Sequence, residues 1–120
     1  MAKKKIIKQG DIYMVSFIDT IGSEQNGVRP CLIIQNDWGN EFSPTTIILP
    51  IKSKNKNILP THYVLKKKDY PSLSFEYNIV LAEQIRCIDK KRLERKICTI
   101  TREDLIKIIE IINKNFILAD

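Results

Sequence analysis

Histidine is almost missing from this chain: His62 is the only one among 120 residues. No cluster of cysteines or carboxylates at metal-ligand spacing accompanies it, so metal chemistry has little to stand on and no cofactor is expected. Cysteine is scarce too. Cys31, Cys87 and Cys98 make an odd set of three with no Cys-x-x-Cys pair, and each sits among apolar neighbours. They read as small buried hydrophobes in a reducing compartment, not as disulfide partners or ligands. No apolar run is long enough to span a bilayer. The basic start Met1-Ala2-Lys3-Lys4-Lys5 is followed only by Ile6-Ile7 before Lys8, far short of the apolar stretch of a secretory signal. These absences point to a cytoplasmic protein with no membrane partner.

What is present suits one globular unit. An apolar fraction of 43% is ordinary for a folded chain, and the length fits a single domain over 1–120 with one core. Lysine and arginine number 20 against 14 Asp and Glu, a net charge of +6. That balance favours a polyanionic partner, nucleic acid or acidic peptide, through counterion release and electrostatic steering.

The chain reads as strands with helix concentrated at its end. Ile12 to Phe17 is a β-favouring run after Gly10-Asp11, and a polar loop over Gly22 to Gly27 joins it to a strand over Arg29 to Gln35. Asn36 to Asn40 is turn chemistry, closed by Ser43-Pro44. A strand over Thr45 to Ile51 follows, with Pro50 expected at an edge or bulge. Residues 52–58 look like a solvated loop. Thr61 to Leu65 is the next strand, with Lys66, Lys67 and Lys68 as a solvated basic face. Asn78 to Ala82 is apolar enough for a central strand continuing into Glu83 to Ile88. Asp89 can cap a helical turn over Lys90 to Arg95, and Lys96 to Ile100 alternates as a last strand. Thr101-Arg102-Glu103-Asp104 resembles a capping box and opens a helix whose core stripe is expected to be Leu105, Ile109, Ile112 and Phe116. Ile106, Ile108 and Ile111 widen the apolar arc, enough for a second contact surface. Short strands with tight turns and a terminal helix argue for a mainly β, α+β fold: a small curved barrel-like sheet with a C-terminal helix.

The run Gly22-Ser23-Glu24-Gln25-Asn26-Gly27-Val28-Arg29-Pro30 places one arginine between a glycine-flanked loop and an apolar strand. Arginine suits phosphate, because its planar fork donates parallel hydrogen bonds and keeps its charge. RNA can be cut without metal when its own 2′-hydroxyl attacks the adjacent phosphate. The protein then orients the strand, stabilises the crowded phosphate and moves protons. Arginine is a poor base for that last task. The bland alternative for this run is a turn, a strand and one solvated arginine.

Gly10-Asp11-Ile12-Tyr13, the Gly22-to-Pro30 run, Gln35-Asn36-Asp37, Ser43-Pro44-Thr45, Leu59-Pro60-Thr61-His62 and Glu83-Gln84-Ile85-Arg86 together resemble, in order, the MazF/PemK/Kid family of toxin endoribonucleases. The similarity is greatest to MazF-type enzymes of Gram-positive bacteria. It implies a PemK/Kid/CcdB-like fold, a homodimer, and metal-independent, sequence-specific cleavage of single-stranded RNA. It also implies control by a MazE-like antitoxin whose acidic tail occupies the RNA groove. By this resemblance Arg29 is the catalytic arginine, and Lys52 stands where the family has a catalytic threonine. That departure predicts RNA binding with slow cutting or none. Ser53 carries a hydroxyl next door, but a one-residue shift in a strand turns it to the opposite face. Ser23, Glu24, Gln25 and Asn26 lie in the loop that covers or reads RNA in the family, or form a plain solvated loop. By the same resemblance Pro60, Thr61 and His62 line the groove, although a lone histidine such as His62 is more often a satisfied strand histidine than a catalyst. Glu83, Gln84 and Arg86 contact bases or tie the strand end to its neighbours. Trp38 and Tyr13 are expected in packing more than in base stacking. Two rivals remain: a toxin of the same fold acting on DNA gyrase, and an RNA-binding module without cleavage. The gyrase relatives depend on a Trp-Gly-Ile ending, and this chain ends Ile117-Leu118-Ala119-Asp120.

Overall fold

The computed structural model describes residues 6–17, 27–53 and 58–119. Alternation of β-branched and apolar residues produces seven strands in one antiparallel sheet: β1 Asp11–Phe17, β2 Gly27–Ile33, β3 Thr45–Ser53, β4 His62–Lys66, β5 Tyr77–Leu81, β6 Arg86–Asp89 and β7 Leu93–Thr99. Their order is β4-β5-β3-β2-β1-β7, with β6 also paired to β3. Among the described residues, two α-helices accompany the sheet, α1 Asp37–Phe42 and α2 Arg102–Lys114. Both faces of the sheet are covered, so successive residues of one strand enter different cores. Ile12, Leu32, Leu49, Ile51 and Val80 pack beneath Ile108 and Ile112 of α2. Val15, Phe17, Cys31, Ile33, Ile48 and Ile88 fill the other, concave side. This two-sided burial explains why the strands are nearly continuous apolar runs.

The nine-residue β3 is the pivot. Thr45 to Ile48 pair with β6, while Ile51 to Ser53 pair with β5. Pro50 is buried between them, opposite Cys31 of β2. The expectation of an edge or bulge is therefore replaced by a partner changeover, where a residue without N–H interrupts no ladder on that side. The strand anticipated over Asn78 to Ile88 is split by a 3-10 turn at Ala82–Gln84, and this break moves the chain from β5 to β6.

Other boundaries also moved. Asp89 caps the predicted turn by accepting from the Lys91 N–H at 2.8 Å. The turn spans only Lys90–Arg92, and β7 starts at Leu93. Asn36 to Asn40 is not a plain turn but the cap and body of α1. The Asn36 side chain accepts from Gly39 N–H at 2.8 Å, while buried Asn40 donates to Gln35 C=O at 2.8 Å and accepts from Thr46 at 2.7 Å. Gly39 has a steric reason: an added Cβ would lie 3.0 Å from Gln35 side-chain atoms, and Gln35 Nε2 is tied to Asn40 and Thr45. On α2 the inward stripe runs through Leu105, Ile108 and Ile112, while Phe116 is 66% exposed. Cys31 is buried as expected, but Cys98 is only partly buried and Cys87 is exposed. Tyr13 is packed and Trp38 is 78% exposed.

A polar latch holds α2 on the sheet. Thr101 caps the helix by accepting from Asp104 N–H at 3.2 Å. The returning arm of the capping box comes from elsewhere: Tyr70 Oη accepts from Thr101 N–H at 3.0 Å. Asp104 instead receives both Tyr63 and Tyr70 hydroxyls at 2.5 Å.

Candidate active site

Strand alternation puts the predicted catalytic residues on one face of the sheet. Cys31 lies opposite Pro50 in the β2–β3 ladder, Leu32 opposite Leu49 and Ile33 opposite Ile48. The ladder ends at Cys31 and Pro50, and Arg29 and Lys52 each lie two residues beyond it on their strands. Cys31 and Ile48 belong to the concave core, and side chains alternate along a strand, so Arg29, Pro50 and Lys52 share that face. Arg29 pairs with Val15, and Lys52 with Ile79. The row continues to Val64 of β4, and the next row holds His62 opposite Leu81. His62 therefore stands on the same face as Arg29 and Lys52. Ser53 is exposed on the opposite face, opposite Asn78, as the period of two requires.

Arg86 joins from β6, opposite Ile48. Its guanidinium lies over the Phe17 ring, 4.9 Å from the centroid. On the sheet path three strand spacings separate β6 from β1, about 14 Å at usual spacing. Contact across the face thus records how strongly the sheet curls, and it fixes the arginine in a cation–π stack. Cys31 lies between the arginines. Burial pushes its thiol pKa up, and the nearby charges of Arg29 and Arg86 act against that shift. Its Sγ sits 3.7 Å from the Arg29 carbonyl oxygen.

A second cluster forms beside this row. Leu59 N–H donates to His62 Nδ1 at 3.0 Å, so the opposite nitrogen, Nε2, carries the proton toward Glu83 Oε2, also at 3.0 Å. Thr61 donates to Glu83 Oε1 at 3.3 Å, and its carbonyl accepts from Ala82 N–H at 3.0 Å. His62 is thus both on the face and structurally satisfied. Pro60 is exposed in the turn before β4, and Gln84 is partly buried in the 3-10 turn. Ser23, Glu24, Gln25 and Asn26 lie outside the described residues.

Several motif residues build the scaffold. Gly10 has φ +93° and its N–H donates to Ile33 C=O at 2.8 Å. Buried Asp11 accepts from Thr99 at 2.7 Å and from Lys8 N–H at 3.0 Å, with Lys96 Nζ at 3.3 Å. Gln35 and Asn36 organise α1, and Asp37 accepts from Gln9 N–H at 2.7 Å. The residue that sequence reasoning missed is Phe17, the platform under Arg86. Its only sequence signal was the alternation of β1.

The concave positions Val15, Phe17, Arg29, Cys31, Ile48, Pro50, Lys52, Arg86 and Ile88 include cations and no carboxylate, while Asp11, at the start of β1 on the same parity, is paired with Lys96. Among the described residues, no three His, Cys, Asp or Glu side chains are grouped to hold a metal ion. Such a face suits a phosphate chain: guanidiniums and an ammonium on one side of the sheet, with an aromatic ring beneath Arg86.

A small antiparallel sheet with a cationic concave face and a C-terminal helix defines the class, and comparison with known proteins defines the family. Residues 8–116 match the family described as PemK-like, MazF-like toxin of type II toxin-antitoxin system, and the chain belongs to it. It is 44% identical over 117 residues to Endoribonuclease EndoA of Bacillus subtilis (strain 168), covering 96% of this chain and 98% of that protein. The fold matches MazF of Deinococcus radiodurans at a TM-score of 0.79, with 21% identity over 93% of this chain and 97% of that one. A MazE-MazF structure from the same organism matches at a TM-score of 0.75 and 21% identity, covering 93% and 96%. No helix among the described residues is long and apolar enough to cross a membrane.

Proposed function

We propose that this chain is the endoribonuclease toxin of a type II toxin-antitoxin pair, binding single-stranded RNA across the face that carries Arg29, Lys52 and Arg86. The observation that carries the reading is the strand alternation that puts Arg29 and Lys52 on the same concave face as Cys31 and Ile48. Family membership and the activity named for the Bacillus relative support it. Arg29 stabilises the pentacoordinate phosphate formed when the RNA 2′-hydroxyl attacks, a term worth roughly 100-fold or more in rate for a well-placed donor. Arg86 holds the strand, and Thr61, His62, Glu83, Gln84 and Pro60 line its path. Lys52 occupies reactant space with a longer side chain than a hydroxyl, and misplacement by about 1 Å costs on the order of 100-fold. The chain therefore binds RNA and cuts it slowly.

Incubation with a long, weakly structured RNA in EDTA, followed by end mapping, tests this. The Lys52→Thr form cuts without metal, leaving a cyclic phosphate and a 5′-hydroxyl, and Arg29→Ala abolishes it. Retained cleavage in the Arg29→Ala protein, or a strict need for Mg²⁺, would sink the reading.

The working unit in this reading is a cytoplasmic homodimer. Ile106, Phe116, Ile117 and Leu118 on and after α2 are exposed apolar side chains, and an isologous contact would cover them. Sedimentation at micromolar concentration showing only a 14.0 kDa species would overturn it. The partner is a MazE-like antitoxin, as in the Deinococcus MazE-MazF structure. Its acidic segment competes with RNA for the cationic face. Failure of saturating antitoxin to displace RNA would remove the shared site.

A further inference from the structure

An arginine that grips phosphate has to be held still. A carboxylate is a common holder, and it cancels part of the charge it positions. Arg86 is held differently. Its guanidinium carbon lies over the Phe17 ring, 4.9 Å from the centroid, and among the described residues no carboxylate pairs with it. A ring face attracts a cation through its quadrupole and leaves the charge and the N–H donors in place. The platform itself is firm. Phe17 is 1% exposed and packs in the concave core with Val15, Cys31 and Ile48. It ends β1 opposite Gly27 of β2, and the Ser16 carbonyl just before it accepts from Arg92 Nη1 at 3.2 Å. Arg86 comes from the other side of the curl, on β6 opposite Ile48 of β3, and is only partly buried. A ring as buried as Phe17 offers RNA no stacking surface, so its contribution to recognition passes through Arg86.

We propose that Phe17 is a positioning residue for RNA binding: its ring holds the Arg86 guanidinium, still fully charged, ready to meet an RNA phosphate. The inference rests on the RNA-binding reading above and deepens it. Without the ring, Arg86 keeps its charge but must be ordered each time RNA binds. Ordering one long side chain corresponds to roughly three- to tenfold in affinity.

The test is a double-mutant cycle of Phe17→Leu and Arg86→Gln. It is read from the anisotropy of a fluorescent, fully 2′-O-methylated single-stranded RNA of mixed sequence at several salt concentrations. Leucine keeps an apolar core side chain and removes the ring, and circular dichroism confirms that each variant is folded. Phe17→Leu should weaken binding roughly three- to tenfold, with the salt dependence unchanged because the cation is still present. Arg86→Gln should weaken binding and lower the salt slope by about 0.7, the share of one phosphate contact on a single strand. Adding Phe17→Leu to Arg86→Gln should then change affinity by less than about 1.5-fold, because the two residues act as one unit. An equal loss in both backgrounds would make Phe17 a core residue only and overturn the proposal, as would unchanged binding in Phe17→Leu. Side-chain NMR of the unaltered chain supplies an arm that needs no change at Phe17. The Arg86 Nε–H, assigned from its absence in Arg86→Gln, should be rigid before RNA is added, with an order parameter of about 0.85. A value below about 0.6 would overturn the proposal. If the RNA binds none of the forms, the RNA-binding reading fails and takes the proposal with it, whereas binding without coupling between the two residues sinks the proposal alone.

Discussion

Two polar regions of this molecule are built in opposite ways. At the latch under α2, one carboxylate collects the Tyr63 and Tyr70 hydroxyls at 2.5 Å each, and Thr101 closes the helix start around it. On the concave face, Arg29, Lys52 and Arg86 share one side of the sheet, with the Phe17 ring beneath Arg86. The first region is complete within the chain, and its hydrogen bonds serve the fold. The second gathers cations on one face of the sheet, where a bound anion is favoured. Loss of a latch residue should therefore unfold without touching recognition. Loss of a face residue should disable recognition and leave the fold intact.

The sharpest way to break that contrast is Arg29→Ala in the Lys52→Thr background. Single-turnover cleavage should fall by roughly 100- to 1,000-fold, while the unfolding midpoint stays within the ordinary scatter of surface substitutions. A matching loss of stability would show Arg29 to be part of the scaffold.

The reciprocal experiment is Asp104→Asn. It removes a charged acceptor shared by two phenols, and hydrogen bonds to charged groups are worth about 1.5–3 kcal/mol each in favourable cases. Denaturant unfolding should show a loss of roughly 2 kcal/mol, and RNA affinity measured where the variant is folded should not change. Weakened RNA binding would couple the latch to the site.

The latch also has a pH signature. Burial tends to raise the Asp104 pKa, but hydrogen bonds from Tyr63, Tyr70 and Thr101 outweigh it and hold the group below its ordinary 3.8. A depressed folded pKa contributes stability above the unfolded value, lost as pH falls through the folded one. Burial, then the bond to Asp104, pushes both tyrosines above their ordinary 10.0. Their contribution is present below pH 10.0 and is lost as pH rises above it. Unfolding followed from about pH 5 to 2, and phenolate absorbance followed upward from neutrality, should show both limbs. Asp104→Asn should remove the acid limb and let the phenols ionise earlier.

The smallest expected effect distinguishes the buried side of α2 from the residues that follow it. Phe116→Ser should alter monomer stability by less than about 0.5 kcal/mol, whereas Ile108→Ala should cost about 2–5 kcal/mol. Phe116 is 66% exposed and Ile108 is fully buried. Comparable losses would mean that Phe116 is covered in the folded protein.

Most of the sheet was legible because short β-branched and apolar runs are bounded by turn residues. Arg29 and Lys52 were named together only through the family resemblance, and the alternation of β2 and β3 puts both on one face. Thr101 was legible as a helix cap for a similarly local reason. The helix stripe was read one position off, at Ile109 instead of Ile108, because isoleucine occupies Ile106, Ile108, Ile109, Ile111 and Ile112 and an arc so wide does not fix its own phase. Helix α1 was hidden because Asn36, Gly39 and Asn40 favour turns locally. Its stability comes from Gln35, Thr46 and Lys90, which contact Asn40 from other segments. The Arg86–Phe17 stack was invisible for the same reason: residues distant in sequence meet only after the sheet has curled.

The most direct test of the central claim is single-turnover cutting of one RNA by this chain and by its Lys52→Thr form, at saturating protein in EDTA. The account predicts that both bind the RNA and that the threonine form cuts at least about 100-fold faster. Equal or faster cutting by the lysine form would contradict it.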